Sequence, residues 1–155
     1  MDKIKKFAPL GAIALGIIAL IMVFLPSIAP KIGEAEETIN GFKTAFGDDD
    51  NGLKFSIMNC LTWVLLIGGI ACAVLSYMQP DNQLFGYIAI AALFVAGIFF
   101  FCALGFTQFD VPKEYVDKVK EYLELGSGSI IAGICSILAA ICAAAPVVMD
   151  KLNIK

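Results

Sequence analysis

Five cysteines carry the strongest potential for nucleophilic or metal chemistry in this sequence. The sequence contains no histidine and no pair of cysteines separated by two residues, so it lacks the usual partners that complete a zinc site or activate a thiolate. Each cysteine lies in a long apolar segment, where a thiol stays protonated and packs as a small apolar side chain. We therefore predict no disulfide framework, no catalytic residue, no metal ligand and no cofactor. Structural packing is the predicted role of Cys60, Cys72, Cys102, Cys135 and Cys142.

A short acidic run is the second group with chemical potential, and it consists of Asp48, Asp49, Asp50 and Asn51. Calcium prefers several oxygen ligands, which these side chains could supply. The spacing does not match an EF-hand loop, because Gly52 occupies the fifth position, where a ligand is required. A solvated turn is the favoured interpretation, and cation binding is the alternative left open.

The apolar segments contain few polar side chains and no charged ones. Asn59 and Trp63 stand one helical turn apart in the second segment. The amide of Asn59 can hydrogen-bond between helices, and Trp63 suits the aromatic belt at a membrane surface. Proton pumps, coupled transporters and voltage sensors normally carry charged groups inside their membrane spans. The sequence therefore argues against these classes of protein.

The sequence contains four long segments without Asp, Glu, Lys or Arg, and they hold the five cysteines and Asn59. Each is longer than the ~20 residues that a helix needs to cross a bilayer. The hydrophobic fraction of 59% also exceeds the roughly 45–50% that is usual in soluble domains. We predict an all-α fold: a single domain, 1–155, that forms an integral membrane four-helix bundle with two short amphipathic helices in its outer loops. The predicted spans are 7–29, 55–78, 84–107 and 127–149, and the outer loops are 30–54 and 108–126.

The charges predict an orientation and exclude one class of partner. All 11 basic residues are lysines and the net charge is −3, so nucleic-acid binding is not expected. Three lysines flank the first span, which usually dominates insertion: Lys3, Lys5 and Lys6. Lysines that flank a span are enriched on the cytoplasmic side of a membrane. We therefore expect an integral protein of the plasma membrane with both termini cytoplasmic.

The two outer loops each contain an amphipathic pattern. In the first loop, apolar residues recur at helical spacing, and in the second an apolar face follows Pro112. We expect the two apolar faces to pack together as a lid on the bundle, the alternative being that each lies separately on the lipid surface. The predicted lid consists of Ile32, Ile39, Phe42, Phe46, Tyr115, Val119 and Tyr122.

Small residues recur every four positions along the last span. Membrane helices associate through close backbone approach, which small side chains permit. The predicted helix-packing face consists of Gly128, Ala132, Ser136, Ala140 and Ala144. This face either forms the interior of the bundle or contributes to a subunit interface.

Together these patterns favour a non-enzymatic tetraspan protein that acts through helix packing and its outer lid. The expected role is an oligomeric scaffold or a partner-binding accessory subunit. The expected partners are the lipid bilayer and either further copies of the chain or a membrane or extracellular protein. The alternative is a small oligomeric channel with a hydrophobic pore, which a symmetric assembly could build from small-residue faces.

Overall fold

A computed structural model describes residues 2–31 and 38–152 of the chain, and within these ranges the structure is mostly helical. Short strands connect the helices. The helices are α1 (Asp2–Met22), α2 (Gly41–Phe46), α3 (Ile57–Met78), α4 (Gln83–Phe101), α5 (Ala103–Phe106), α6 (Lys113–Glu121) and α7 (Ser127–Lys151). The strands are β1 (Pro26–Pro30), β2 (Ile39–Asn40), β3 (Leu53–Lys54), β4 (Gln108–Phe109) and β5 (Leu123–Leu125).

Three of the helices are long and apolar enough to cross a membrane, which confirms the prediction of apolar transmembrane helices. They are α3 with 22 residues, α4 with 19 and α7 with 25. At a rise of ~1.5 Å per residue, even the shortest of them is close to the ~30 Å thickness of a hydrocarbon core. In α1, the described apolar stretch is shorter, Phe7–Met22.

Two predicted spans extend several residues beyond the C-terminal ends of the helices that form. The first was expected to reach residue 29, but α1 ends at Met22 and Pro26 begins strand β1. Proline lacks an amide hydrogen and disfavours helical backbone in the residue before it, which accounts for the early end. The third was expected to reach residue 107, but α4 ends at Phe101, and the one-turn helix α5 follows after Cys102.

The four long helices pack in the cyclic order α1, α3, α4, α7, so each contacts two of the others. Alanines and leucines from all four fill the space between them, and Leu66 and Leu93 are fully buried there. Glycine allows close contact at each of the four pairings, since a side chain there would meet a neighbouring helix. The contacts are Gly16 with Ile70, Gly69 with Leu93, Gly97 with Ile137, and Gly128 with Met22.

A small β-containing layer covers one end of these helices, where α1 ends and α3 and α7 begin. We call residues 26–31, 38–56 and 102–126 the outer layer. Its three-stranded antiparallel sheet has the order β2-β1-β5, and β3 pairs with β4 beside it. The layer has its own apolar core, in which Ile28, Ile39 and Leu53 are buried. The sheet was not predicted, because strands of two to five residues leave no periodic pattern to detect.

We expect Gly69→Ala to destabilise the packing of α3 on α4, whereas Gly68→Ala should not. A methyl group at Gly69 would lie 2.8 Å from Leu93 Cγ and 3.2 Å from its backbone nitrogen, while nothing lies within 4 Å of one at Gly68. Overpacking of this kind costs about 1–3 kcal/mol. The measurement is the thermal unfolding midpoint of the detergent-extracted variants. Equal midpoints would contradict the close approach of these helices.

Candidate functional site

Asn59 is the centre of a buried polar network between the outer layer and the long helices. Its side chain is 4% exposed. The carboxamide nitrogen donates to the backbone oxygen of Thr44, at 3.0 Å, and to the hydroxyl of Thr107, at 3.1 Å. The Thr107 hydroxyl in turn donates to the carbonyl of Ala103, at 2.8 Å. One side chain on α3 thereby holds both α2 and the segment that follows α5.

Three buried serines add hydrogen bonds at the same end of the long helices. The Ser56 hydroxyl caps α3 and donates to the carbonyl of Phe106, at 2.7 Å. The hydroxyls of Ser27 in β1 and Ser129 in α7 are hydrogen-bonded to each other. All of these polar side chains are buried, so the outer layer is attached by directional bonds rather than by apolar contact alone. We call Ser27, Thr44, Ser56, Asn59, Thr107 and Ser129 the anchoring cluster.

The sequence indicated only one member of the anchoring cluster in its correct role. Asn59 was expected to bond between helices, and it does so across three elements. Thr44 lies inside the first outer loop and carries no signal of its own. The other four members lie near the ends of the apolar segments, where isolated Ser and Thr are common and carry no distinctive spacing. Their position at successive span ends was the available signal, and only the fold brings those ends together.

A small cavity lies beside the anchoring cluster and is too small for a substrate. Its volume is about 10 Å³, which is room for about one water molecule. Asn59, Thr62 and Trp63 contribute to its wall, and no acidic or basic residue does. It therefore offers a site for a bound water and not for acid–base chemistry.

A larger cleft of about 570 Å³ opens on the surface of the outer layer, between the acidic loop and the β3–β4 pair. Two ion pairs lie along it: Lys43 with Asp48 and Lys54 with Asp110, each with a nitrogen–oxygen distance of 2.6 Å. Three carboxylates and one lysine line this cleft, so we call it the acidic cleft. It is lined by Phe46, Gly47, Asp48, Asp49, Gly52, Leu53, Lys54, Phe55 and Asp110.

Asp48 organises the turn at the edge of the acidic cleft. Its backbone forms a two-way pair with Leu53, with distances of 2.9 Å and 2.8 Å, and the turn between them closes through Gly52 at φ +61°. Hydrogen bonds from the Lys43 ammonium, and then from the Asn51 amide, lower the pKa of the Asp48 carboxyl. Both bonds go to the Oδ2 atom, so a cation at this oxygen would compete with the Lys43 ammonium. No group of three or more potential metal ligands occurs among the described residues.

Four aromatic side chains gather where α2 lies against α3, and we call them the aromatic cluster. The Trp63 ring lies 5.9 Å from that of Phe24, 6.0 Å from that of Phe42 and 6.3 Å from that of Phe46, measured between centroids. Phe42 and Phe46 lie 4.5 Å from each other. The three phenylalanines are about half exposed, so the cluster presents an apolar surface to its surroundings.

The residues of the predicted lid do not form one interface in the described part of the chain. Ile39 is buried in the core of the outer layer, and Phe42 and Phe46 pack on Trp63. The main contacts of α2 are with α3 and with strands β1, β2 and β3, which differs from the expected packing of the two outer helices on each other. The reason is strand β1, which pairs with β2 on one side and β5 on the other, and so separates α2 from α6.

The other lid residues lie on α6 or outside the described ranges. Tyr115 and Tyr122 are 52% and 68% exposed, and Val119 is half-buried. The Lys118 ammonium lies 5.4 Å from the centre of the Tyr115 ring. Ile32 falls in the stretch 32–37, which the structure does not describe.

The small-residue face of α7 packs inside the chain, against α1 and α4. Ala132 and Ser136 are fully buried, and the Ser136 hydroxyl donates to the carbonyl of Leu93 in α4, at 2.7 Å. A side chain at Gly128 would meet the Met22 carbonyl of α1 at 2.7 Å. Ala140 is also buried, while Ala144 is half-buried. This face therefore serves intramolecular packing.

No protein-family model matches the chain, and no curated protein or solved structure is significantly similar to it. What the protein does must therefore follow from its own geometry. The three features that carry that geometry are the anchoring cluster, the acidic cleft and the aromatic cluster.

We expect Asn59→Ala to loosen the outer layer while the long helices remain folded. The substitution leaves the Thr44 carbonyl and the Thr107 hydroxyl without their buried donor, which costs about 1–3 kcal/mol. The measurement is the rate of tryptic cleavage after Lys54 in the extracted protein. Thr62→Val is the matched control, because the Thr62 hydroxyl bonds within α3, to Met58. Equal cleavage rates for the two variants would contradict the anchoring role of Asn59.

We expect the turn at Asp48 to lose protection in acid. Because folding lowers the pKa of Asp48, its stabilising effect is present above the ordinary aspartate pKa of about 3.9 and is lost as the pH falls through the folded value. Hydrogen exchange of residues 41–52, corrected for the intrinsic rate, measures this. Asp48→Asn should lose protection at neutral pH and show no further loss in acid. Asp50→Asn, at an exposed position, should behave as the parent chain; a shared response of both variants would contradict the assignment.

Proposed function

We propose that this chain is a non-enzymatic integral membrane protein with four spans, whose outer layer is a rigid platform for binding a partner protein. In this proposal α1, α3, α4 and α7 cross the bilayer as a four-helix bundle. In α1 the apolar stretch Phe7–Met22 is ~24 Å long, shorter than the ~30 Å hydrocarbon core, and the charged start of the helix precedes it. Its packing against both α3 and α7 supports its inclusion as the fourth span.

The observation that carries the proposal is the attachment of the outer layer through the anchoring cluster. A segment that only linked two spans would need no buried polar ties, since solvent would satisfy its backbone. Here Asn59, Ser56 and Ser27 hold separate parts of the layer to the helices. Such attachment preserves the shape of an exposed surface, and shape is what specific recognition requires.

The acidic cleft supports a partner with a basic surface. The outer loops together contain eleven acidic residues and six lysines in the sequence, and Asp48, Asp49 and Asp110 face the cleft. Complementary charge raises the rate of encounter and suppresses binding to acidic partners. Basic segments of another membrane or extracellular protein fit this surface. A second copy of the chain fits it less well, because both copies carry the same charge.

The channel that the sequence left open as an alternative has no specific observation in its favour. The small-residue face that would line or seal a subunit pore is buried within the chain. The space between the four helices is filled by Leu66, Leu93 and their alanine neighbours. Ion flux through liposomes containing the purified chain is the direct test of a channel.

The proposed orientation has both termini in the cytoplasm and the outer layer outside the plasma membrane. The lysines at positions 3, 5 and 6 lie at the start of α1, before its apolar stretch, whereas the outer layer carries the excess of acidic residues. An outer layer on the extracellular side is also where a partner-binding platform would meet other proteins.

We expect a cysteine at Asp49→Cys to be labelled in intact cells and to crosslink to a partner protein. In this experiment the five native cysteines are replaced by alanine, because the exposed Cys102 of the outer layer would otherwise react. The variant is treated with a membrane-impermeant maleimide, or with a maleimide photo-crosslinker in native membranes followed by mass spectrometry of the products. Asp81→Cys, in the short turn between α3 and α4, is the matched control. It should be labelled only after permeabilisation and should give no crosslink to the same protein.

Three outcomes would contradict the proposal. Labelling of Asp81→Cys but not Asp49→Cys in intact cells would reverse the orientation. Crosslinks of Asp49→Cys to lipid alone would remove the partner. Specific flux of ions by the purified chain would favour the channel instead.

A further inference from the structure

The short helix α2 lies beside the first turn of α3 and not above its end. The Ala45 carbonyl accepts the backbone amide of Ser56, at 2.9 Å, and contacts the thiol of Cys60, at 3.6 Å. Asn59 donates to the neighbouring carbonyl of Thr44. Because these contacts run along α3, the depth of α2 in a membrane is the depth of residues 56–60.

That depth is the outer edge of the hydrocarbon layer. The 22 residues of α3 give a length of ~33 Å, nearly the same as the ~30 Å thickness of the hydrocarbon core. If α3 crosses the membrane, both of its ends must lie close to the two surfaces of the hydrocarbon core. A shift of its first turns into water would draw its C-terminal end into the hydrocarbon core. Helix α2 must then lie in the same interfacial zone.

The exposed side of α2 has the chemistry of a lipid-facing surface. Phe42 and Phe46 are spaced four residues apart on one face and are 47% and 49% exposed, while Thr44 and Ala45 on the other face are buried. Phe24 is 59% exposed beside them. Exposed apolar residues continue one turn deeper, with Ile21 on α1 and Ile67 on α3. The aromatic cluster is thus continuous with the apolar sides of two membrane helices.

Polar groups appear where α2 ends. Lys43, whose side chain is 42% exposed, pairs with Asp48 just beyond the helix, so its charge reaches past the apolar face. Tryptophan is enriched at this boundary in membrane proteins, and Trp63 is the centre of the aromatic cluster. No acidic residue lies on α2 itself.

We propose that α2 is an interfacial anchor whose aromatic cluster is inserted into the outer leaflet of the phospholipid bilayer. The inference rests on the proposed insertion of α3 and its neighbours. It assigns lipid, and not a protein, to this surface, while the acidic cleft on the other side of Phe46 remains in water. Because the inserted face is apolar, the anchor should not depend on anionic lipid and should withstand high salt.

The sequence contains a single tryptophan, Trp63, which makes the inference directly measurable. The full chain is reconstituted in phosphatidylcholine vesicles that contain lipids brominated at a shallow or a deep position of the acyl chain. Bromine quenches tryptophan at its own depth, and acrylamide quenches tryptophan exposed to water. We expect the shallow bromine to quench Trp63 several-fold more than acrylamide does.

Three reporters in a Trp63→Phe background then test α2 itself. Phe42→Trp should be quenched by the shallow bromine and protected from acrylamide. Tyr115→Trp on α6 is the control for water, and Phe94→Trp, half exposed near the middle of α4, is the control for deep lipid. If a reporter does not fold, the native Trp63 measurement in the unmodified chain still tests the depth of the cluster.

The outcomes separate this inference from the proposed function. A Phe42→Trp reporter that is quenched by acrylamide as strongly as Tyr115→Trp would place α2 in water and overturn the anchor. Protection of that reporter from both acrylamide and bromine would overturn it in favour of a second copy of the chain covering α2. In either case, deep quenching of Phe94→Trp would leave the membrane insertion standing. If no bromine quenches Phe94→Trp, both proposals fail.

Discussion

The need to satisfy polar groups at the outer end of the long helices governs the architecture of this protein. Polar groups that become buried where the chain leaves an apolar helix and turns back need partners other than water. Asn59 supplies a donor to two separated segments, and Ser56, Ser27 and Ser129 supply further bonds at the starts and ends of neighbouring elements. The same bonds that permit the turns also fix the outer layer, so the layer is an extension of the helical packing.

The long helices use a different principle, which is close approach through small residues. Lipid offers apolar contacts as good as those of another apolar side chain, so tight packing decides the association of helices. Glycine at each contact and alanine in the interior serve this purpose, and Ser136 adds one bond from α7 to α4. The small-residue face of α7 is buried against α1 and α4. The exposed surfaces with a distinct chemistry, the acidic cleft and the aromatic cluster, therefore lie at the outer end of the molecule.

Those surfaces divide by chemistry at Phe46, which belongs to both. On one side the aromatic cluster is apolar and half exposed, and on the other the acidic cleft carries carboxylates paired with lysines. An apolar face at the membrane edge next to a charged face above it is the arrangement that an interfacial element requires. The proposed lipid anchor and the proposed partner surface therefore need not compete for the same residues.

The sequence by itself determined the long apolar helices and the helical character of Lys113–Glu121, because each depends on local composition or periodicity. It also indicated Asn59 as a bonding residue. The tertiary structure alone decided the outer sheet, the anchoring cluster and the separation of α2 from α6. These features join residues far apart in the chain: Asn59 to Thr107, Ser27 to Ser129 and β1 to β5. A strand of three residues becomes a strand only when its partner lies beside it, and that proximity is set by how the helices pack.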